Sequence, residues 1–224
     1  MLNALCGEER IITSPLPHTT REPKNIEIIH KDRLLNFIDT AGISRAGRSQ
    51  GKNYTPQETL TRQSIAASLR SLRKASVALL VIYVDEGVTG EEAKITAAII
   101  ASKVSLIIVA NKWDKIAEPD AKKYTASIYA SLPFVRWAPI FFLSAATGAK
   151  VERLKDLIAD IYERRQTTIA ANALDKFLKK LIKIHPPVRD GFGKRPRLLT
   201  LRQDRADPPQ FVLQMNPKDK LQPA

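Results

Sequence analysis

Asn111-Lys112-Trp113-Asp114 sets an amide, an ammonium and a carboxylate within four residues, directly after an apolar run. Guanine presents two N–H donors, from N1 and N2, along one edge. A carboxylate accepts both, and an amide can meet the remaining ring acceptors. Asp114 and Asn111 are therefore candidate base readers, with the Lys112 stem lying along the ring face. The plainer reading of the tetrapeptide is a polar strand-to-helix turn. Asp39-Thr40-Ala41-Gly42 follows another apolar run. A carboxylate there can hold Mg²⁺ through water, and the Gly42 amide can approach a terminal phosphate. Asp39 or Thr40 would serve equally as a helix cap. Thr19 and Thr20 offer hydroxyls to the same metal. Ser144-Ala145-Ala146-Thr147-Gly148 closes a third apolar run. Its backbone amides suit the guanine carbonyl, with Ser144 and Ala145 the candidates; the alternative is a turn capping the next helix. The 224 residues contain no Gly-x-x-x-x-Gly-Lys-Ser/Thr run, the loop that cradles phosphates.

These motifs need a scaffold that brings the ends of several strands together. Ile26 to Lys31 and Arg33 to Ile38 are short apolar-rich runs that read as a hairpin around Asp32. Val77 to Val84, Val104 to Ala110 and Ala138 to Leu143 are nearly continuous apolar runs, as strands covered on both faces require. Helical patterns lie between them, at Glu58 to Lys74, Glu91 to Ser102, Asp120 to Ser131 and Val151 to Arg165. Strands alternating with helices predict an α/β doubly wound sheet. Arg45 to Gln57 reads as a loop after the second motif, and Met1 to Leu5 as the start of a helix.

Near Thr168 the pattern changes, and a domain boundary is expected there, dividing 1–167 from 168–224. Leu174, Phe177, Leu178, Leu181 and Ile182 recur at helical spacing among lysines, and His185-Pro186-Pro187 ends the helix. Leu198 to Leu201 and Phe211 to Met215 read as strands.

The composition is that of a globular protein, 44% hydrophobic and 26% charged. A single cysteine, Cys6, excludes an internal disulfide and fits a reducing compartment; its plain reading is a small core residue. No run approaches the roughly 20 apolar residues of a membrane helix, and no secretory signal is visible. The expectation is a cytoplasmic protein without a membrane partner. The formal charge is +13. Residues 166–224 hold 12 Lys or Arg against 5 Asp or Glu, so positive charge concentrates in the C-terminal quarter. That favours a polyanion, and Lys194, Arg195, Arg197 and Arg202 are candidate RNA contacts.

The order of the four motifs is that of guanine-nucleotide switches. Beyond that order, Leu2 to Arg10, Ile12 to Pro15, Thr19-Thr20-Arg21, His185-Pro-Pro187, Lys194-Arg-Pro196 and Pro208 to Val212 with Met215-Asn216 resemble one family. It is the bacterial double-GTPase family Der, also called EngA, in its second GTPase domain and the start of its KH-like domain. The resemblance implies a P-loop-type, Ras-like GTPase sheet lacking its first strand, followed by a partial α+β KH-like domain. It implies GTP or GDP with Mg²⁺ as ligands, and a role in ribosome assembly through the large subunit or its RNA. Asn111, Lys112, Asp114, Ser144 and Ala145 would read guanine. Thr19, Thr20, Asp39 and Gly42 would serve phosphate, and Thr20 and Asp39 the metal. Ile43 stands where many switch GTPases keep a water-orienting Gln, so hydrolysis would need another device, a potassium ion being one. His18 replaces a family Gly and Glu22 a family Asp. The resemblance also implies truncation at both ends. Two alternatives to a GTPase stand beside it: a non-enzymatic RNA- or ribosome-binding remnant, and a non-functional gene fragment. Oligomeric state is not legible.

Overall fold

The computed structural model describes residues 1–7, 25–38, 71–189 and 194–219, and the following concerns those residues. They fall into two compact units, Met1–Tyr162 and Glu163–Ala224.

In the first unit, strands β3 (Val77–Tyr83), β4 (Ser105–Asn111) and β5 (Ile140–Phe142) form a parallel sheet in that order. β4 is central and buried along almost its whole length, as its unbroken apolar run requires. The pleat sorts the side chains. Ala78, Leu80 and Ile82 of β3 join Leu106, Ile108 and Ala110 of β4 in one core. Helix α2 (Gly90–Ala101) adds Ile99 to that core, and α3 (Ala121–Ser131) adds Ile128. Ile107 and Val109 point the other way, into a second core with Leu5 of α1 (Leu2–Cys6). Leu154 and Ile158 of α4 (Val151–Gln166) complete that core. Helices on both faces of a parallel sheet give the doubly wound layering.

The start of α2 is fixed by a capping box. Thr89 Oγ1 accepts from the Glu91 amide at 3.2 Å, and the Thr89 amide donates to Glu92 Oε2 at 2.8 Å. Asp120 caps α3 by accepting from the Lys122 and Lys123 amides at 2.9 and 3.0 Å.

β1 (Asn25–His30) and β2 (Arg33–Ile38) form the expected antiparallel hairpin. Lys31 and Asp32 both have positive φ, 49° and 62°, the two-residue turn that suits strand twist. Among the described residues the hairpin is a sheet of its own, and no strand joins β2 to β3. A cavity of about 550 Å³ lies there instead. Leu34 to Ile38 border it on one side and Val77 to Leu79 on the other, with Leu5, Ile99 and Ile158 among the lining residues. The helix expected over Glu58 to Lys74 is described only from residue 71, with residues 71 and 72 helical.

The second unit holds α5 (Ala171–Ile184) and the antiparallel pair β6 (Leu198–Arg205) and β7 (Gln210–Met215). Leu174 and Leu178 are buried, whereas Phe177 is 55% exposed, because only one thin hairpin is available to cover the helix. Gln203 ties the unit together, its Oε1 accepting from the Ile169 amide at 2.7 Å and its Nε2 donating to the Thr167 carbonyl at 3.1 Å. Arg165, buried, pairs with Asp207.

Candidate guanine-binding site

The C-terminal ends of β3, β4 and β5 lie side by side, where open α/β sheets place ligands. Asn111 is the last residue of β4 and is buried. Its side-chain Oδ1 accepts from the Ala145 amide at 2.9 Å, joining two loops 34 positions apart. The loop after β5 is stiffened from within. Thr147 donates its amide to Ser144 Oγ at 3.2 Å, and the Ser144 amide donates to the Ala149 carbonyl at 3.3 Å. Ser144 is 2% exposed, so its hydroxyl serves the loop itself.

Lys112 turns the chain with φ at 64°, and Trp113–Lys115 follow as one 3-10 turn. Trp113 anchors that turn. Its amide donates to the Leu143 carbonyl at 3.1 Å, and its indole packs 4.5 Å from the Phe142 ring and 5.2 Å from that of Tyr124. Asp114 is exposed on this anchored turn, and its carboxylate has no hydrogen-bond or ion-pair partner among the described residues. A carboxylate with both oxygens open, carried on an anchored turn, can accept two parallel N–H groups.

Lys112 Nζ lies 3.3 Å from Asp85 Oδ2 and 3.5 Å from Glu86 Oε1, and 3.9 Å from the centre of the Tyr83 ring. Desolvation raises the Asp85 pKa, but the hydrogen bond from Lys112, a local backbone hydrogen bond and the Lys112 and Lys115 charges outweigh it and hold it below 3.8. Lys112 is pushed the other way, above 10.5, as the two carboxylates outweigh its own desolvation. Asp85 and Tyr83 carry no motif. Their signal in sequence is positional, a carboxylate directly after an apolar strand of the sheet.

The structure thus brings together Asn111, Lys112, Asp114, Ser144 and Ala145. It also modifies their expected roles. The Ala145 amide is engaged by Asn111, the Ser144 amide by Ala149 and the Thr147 amide by Ser144 Oγ, which leaves the Ala146 and Gly148 amides of that loop without an acceptor among the described residues. Thr19, Thr20, Asp39 and Gly42, like His18, Glu22 and Ile43, lie outside the described residues. Among the described residues no cluster of three or more His, Cys, Asp or Glu is placed to hold a metal. A concavity of about 840 Å³ between Lys115 and Ser127 adjoins the site, but neither Asn111, Asp114 nor Ser144 lines it. In the second unit Lys194, Arg195, Arg197 and Arg202 are all exposed. Two of them face carboxylates, Lys194 with Asp219 at 3.5 Å and Arg202 with Asp204 at 3.3 Å. No helix among the described residues is long and apolar enough to cross a membrane.

Comparison with known proteins agrees with this fold. Residues 1–112 match the family profile described as 50S ribosome-binding GTPase, and residues 65–179 match that of the elongation factor Tu GTP binding domain. The chain is 35% identical over 218 residues to GTPase Der of Chloroflexus aggregans, covering 96% of this chain and 47% of that protein. It is 34% identical to GTPase Der of Desulfitobacterium hafniense over 219 residues, 96% of this chain and 48% of that one. The chain therefore spans about half the length of these curated relatives. Among solved structures, Era in complex with MgGDPNP and a 16S ribosomal RNA segment aligns with a TM-score of 0.57 at 27% identity, over 72% of this chain and 50% of that one. Aquifex aeolicus Era bound to GDP and AlF4⁻ aligns with a TM-score of 0.56 at the same identity and coverage. With the motif order, the parallel doubly wound sheet and the paired loops at its C-terminal edge, these matches show that the chain belongs to the Der (EngA) family of 50S ribosome-binding GTPases.

Proposed function

We propose that these 224 residues carry the base-reading part of a guanine-nucleotide site and hold the phosphates only weakly on their own. The observation that supports this most directly is the open Asp114 carboxylate, fixed on a turn beside the Asn111–Ala145 pair. Asp114 takes the N1 and N2 protons, Asn111 holds the two base loops together, and the Ala146 amide meets the carbonyl. Mg²⁺, when bound, would neutralise charge on the phosphates; Thr20 and Asp39 are the residues proposed for it, with Thr19 and Gly42 beside the terminal phosphate. The 224 residues contain no phosphate-cradling run, whose backbone amides and Lys supply much of the phosphate interaction. A sheet interrupted by one strand between β2 and β3 fits the apolar cavity there. Titration calorimetry of the 224-residue chain with GDP tests the reading. Weak or undetectable affinity is expected, and submicromolar affinity overturns it.

A second role has support from a different observation, the excess of 12 basic over 5 acidic residues in 166–224. We read this part as a partial KH-like domain that meets ribosomal RNA through backbone charge, with Lys194, Arg195, Arg197 and Arg202 as contacts. That role needs no nucleotide, so it would persist in a chain without GTPase activity.

A further inference from the structure

We propose that Asp85, with Glu86 and the Tyr83 ring, is a positioning residue that holds the base-reading loop in shape by anchoring Lys112; this rests on the base-reading role assigned to Asp114. The loop turns on a residue in an uncomfortable conformation. Lys112 has φ 64° and ψ 31°, the left-handed region that a side chain with a Cβ disfavours. That conformation lets the chain leave β4 and wind at once into the 3-10 turn bearing Asp114. Something must hold it there.

Two backbone contacts help: the Trp113 amide donates to the Leu143 carbonyl at 3.1 Å, and the Lys115 amide to the Lys112 carbonyl at 3.0 Å. Neither of them touches the Lys112 side chain. The ammonium is held separately, 3.4 and 3.3 Å from the two Asp85 oxygens, 3.5 Å from Glu86, and 3.9 Å above the Tyr83 ring. The receiving turn is itself tied down. The Glu86 and Gly87 amides both donate to the Tyr83 carbonyl, at 3.1 and 2.9 Å. The Val84 amide donates to the Asn111 carbonyl at 3.2 Å, and Tyr83 stands opposite Asn111 in the ladder. The end of β3 is thus stitched to the end of β4 by backbone, and then by Asp85 to Lys112. Lys115 Nζ, 3.8 Å from Asp85, adds a second cation from the same turn. Two partly exposed carboxylates, an aromatic face and two lysines form a network rather than a lone surface pair, and its geometry is directed at one strained residue.

The anchor makes a specific demand. Once the carboxylate at 85 is neutralised, Lys112 keeps only Glu86 and the Tyr83 ring, the tether weakens, the left-handed conformation loses population, and the turn bearing Asp114 loosens. Replacing Lys112 with Gly removes both the tether and the strain, so residue 85 then keeps only its 3.8 Å contact with Lys115.

The test uses the 224-residue chain as wild type and as Asp85→Asn, Asp85→Glu, Lys112→Gly and the Asp85→Asn/Lys112→Gly double variant. Guanosine is the probe and adenosine the control, both read by NMR titration beside the backbone amide resonances of residues 112–115. Asp85→Asn is expected to weaken guanosine about two- to five-fold, the size of a partly exposed charge contact, and to move those resonances. Asp85→Glu is expected to restore both. In the Lys112→Gly background Asp85→Asn is expected to change both far less, only the Lys115 contact remaining, and the difference is the coupling that a double-mutant cycle reads. If Asp85→Asn leaves the resonances and the guanosine affinity where they were, the anchor is wrong while the base-reading site stands. If the wild type takes adenosine as well as guanosine, the base-reading site is wrong, and the resonances of 112–115 still decide the anchor.

Discussion

His30, at the end of β1, is buried against α4 and lies between two carboxylates one helical turn apart. Its Nε2 is 2.7 Å from Asp156 Oδ1, and its Nδ1 3.4 Å from Glu152 Oε2. Lys31 reaches the same Asp156 oxygen at 2.6 Å, while Lys155 meets Glu152 at 2.7 Å. The hydrogen bond from Lys31, then that from His30, holds the Asp156 carboxyl below its ordinary 3.8, against some desolvation and with help from both charges. A carboxylate with a depressed folded-state pKa contributes stability that is present above the unfolded value and lost as pH falls through the folded one. Asp156→Asn should therefore lower the melting temperature at neutral pH, and the gap to wild type should close as pH drops through and below 3.8. A gap that stays constant with pH would show that the pair does not couple the hairpin to α4. Neither this cluster nor the Asp85–Lys112 anchor was legible in the sequence. His30 and Asp156 are 126 positions apart, Lys112 and Asp85 27, and each pair depends on packing or strand register. Asn111, Lys112 and Asp114, the proposed site residues, stand within four positions at the end of one apolar run, a local signal that a sequence can carry. What the motif could not convey is that the Ala145 amide is already engaged by Asn111.

The elements follow the same division between local and distant signals. The apolar runs of β3 and β4 stand where periodicity placed them, because burial on both faces leaves an unbroken signature. The hairpin forms as expected, but Lys31, read as the end of its first strand, belongs with Asp32 to the turn. β6 was expected to stop at Leu201 and runs to Arg205. Its last four residues are mostly exposed, so the apolar signal ends while the ladder to β7 goes on, through a register shift between Gln203 and Arg205. β5 shows the opposite error, pairing only over Ile140–Phe142 within the apolar stretch Ala138 to Leu143. Helix α5 starts at Ala171, ahead of its first buried leucine, because alanines propagate a helix without packing. One element carries a sharp prediction. α2 begins on the Thr89–Glu92 capping box just after the Asp85 turn, so Thr89→Ala removes a cap without touching either core. The expected cost is about 1 kcal/mol of stability, read by denaturant unfolding. The amides of Glu91 and Glu92 should lose hydrogen-exchange protection first. An unchanged midpoint would mean that packing of Ile99 alone sets the start of the helix.

At the scale of the whole chain, charge and sheet continuity each lead to a prediction. The C-terminal excess of positive charge should make any binding to ribosomal RNA electrostatic. Log affinity should then fall linearly with log salt, by roughly 0.7 to 0.9 for each phosphate neutralised. Reversing Lys194 and Arg195 to Glu should flatten that slope, and an unchanged slope would remove these residues from the contact. The sheet poses the larger question. Among the described residues β2 and β3 do not pair, yet apolar side chains of both layers, Leu5 and Ile158 with Ile95 and Ile99, converge on the space between them. β3 alternates buried and half-buried residues while β2 has none that is buried, so the cost of about 1–3 kcal/mol per unpaired buried group falls mainly on the β3 edge, against a typical total of about 5–15 kcal/mol. Joining a strand and a Gly-x-x-x-x-Gly-Lys-Ser loop ahead of Met1 should therefore raise stability by repairing two ladders. It should also give the phosphates their amides, so that Asp39 and Thr20 meet Mg²⁺ on a bound nucleotide. Leu5 already packs in the core, which sets the register of the junction. The assay compares melting temperature with and without GDP for the 224-residue chain and the extended one. A nucleotide-dependent rise is expected only in the extended protein. Asp114→Asn in that protein should move preference from guanine toward xanthine, because an amide donates where the carboxylate accepted. If the extended protein is more stable but insensitive to GDP, the slot between β2 and β3 is a strand site and the nucleotide site is disabled elsewhere. His18 and Glu22 are then the first residues to vary.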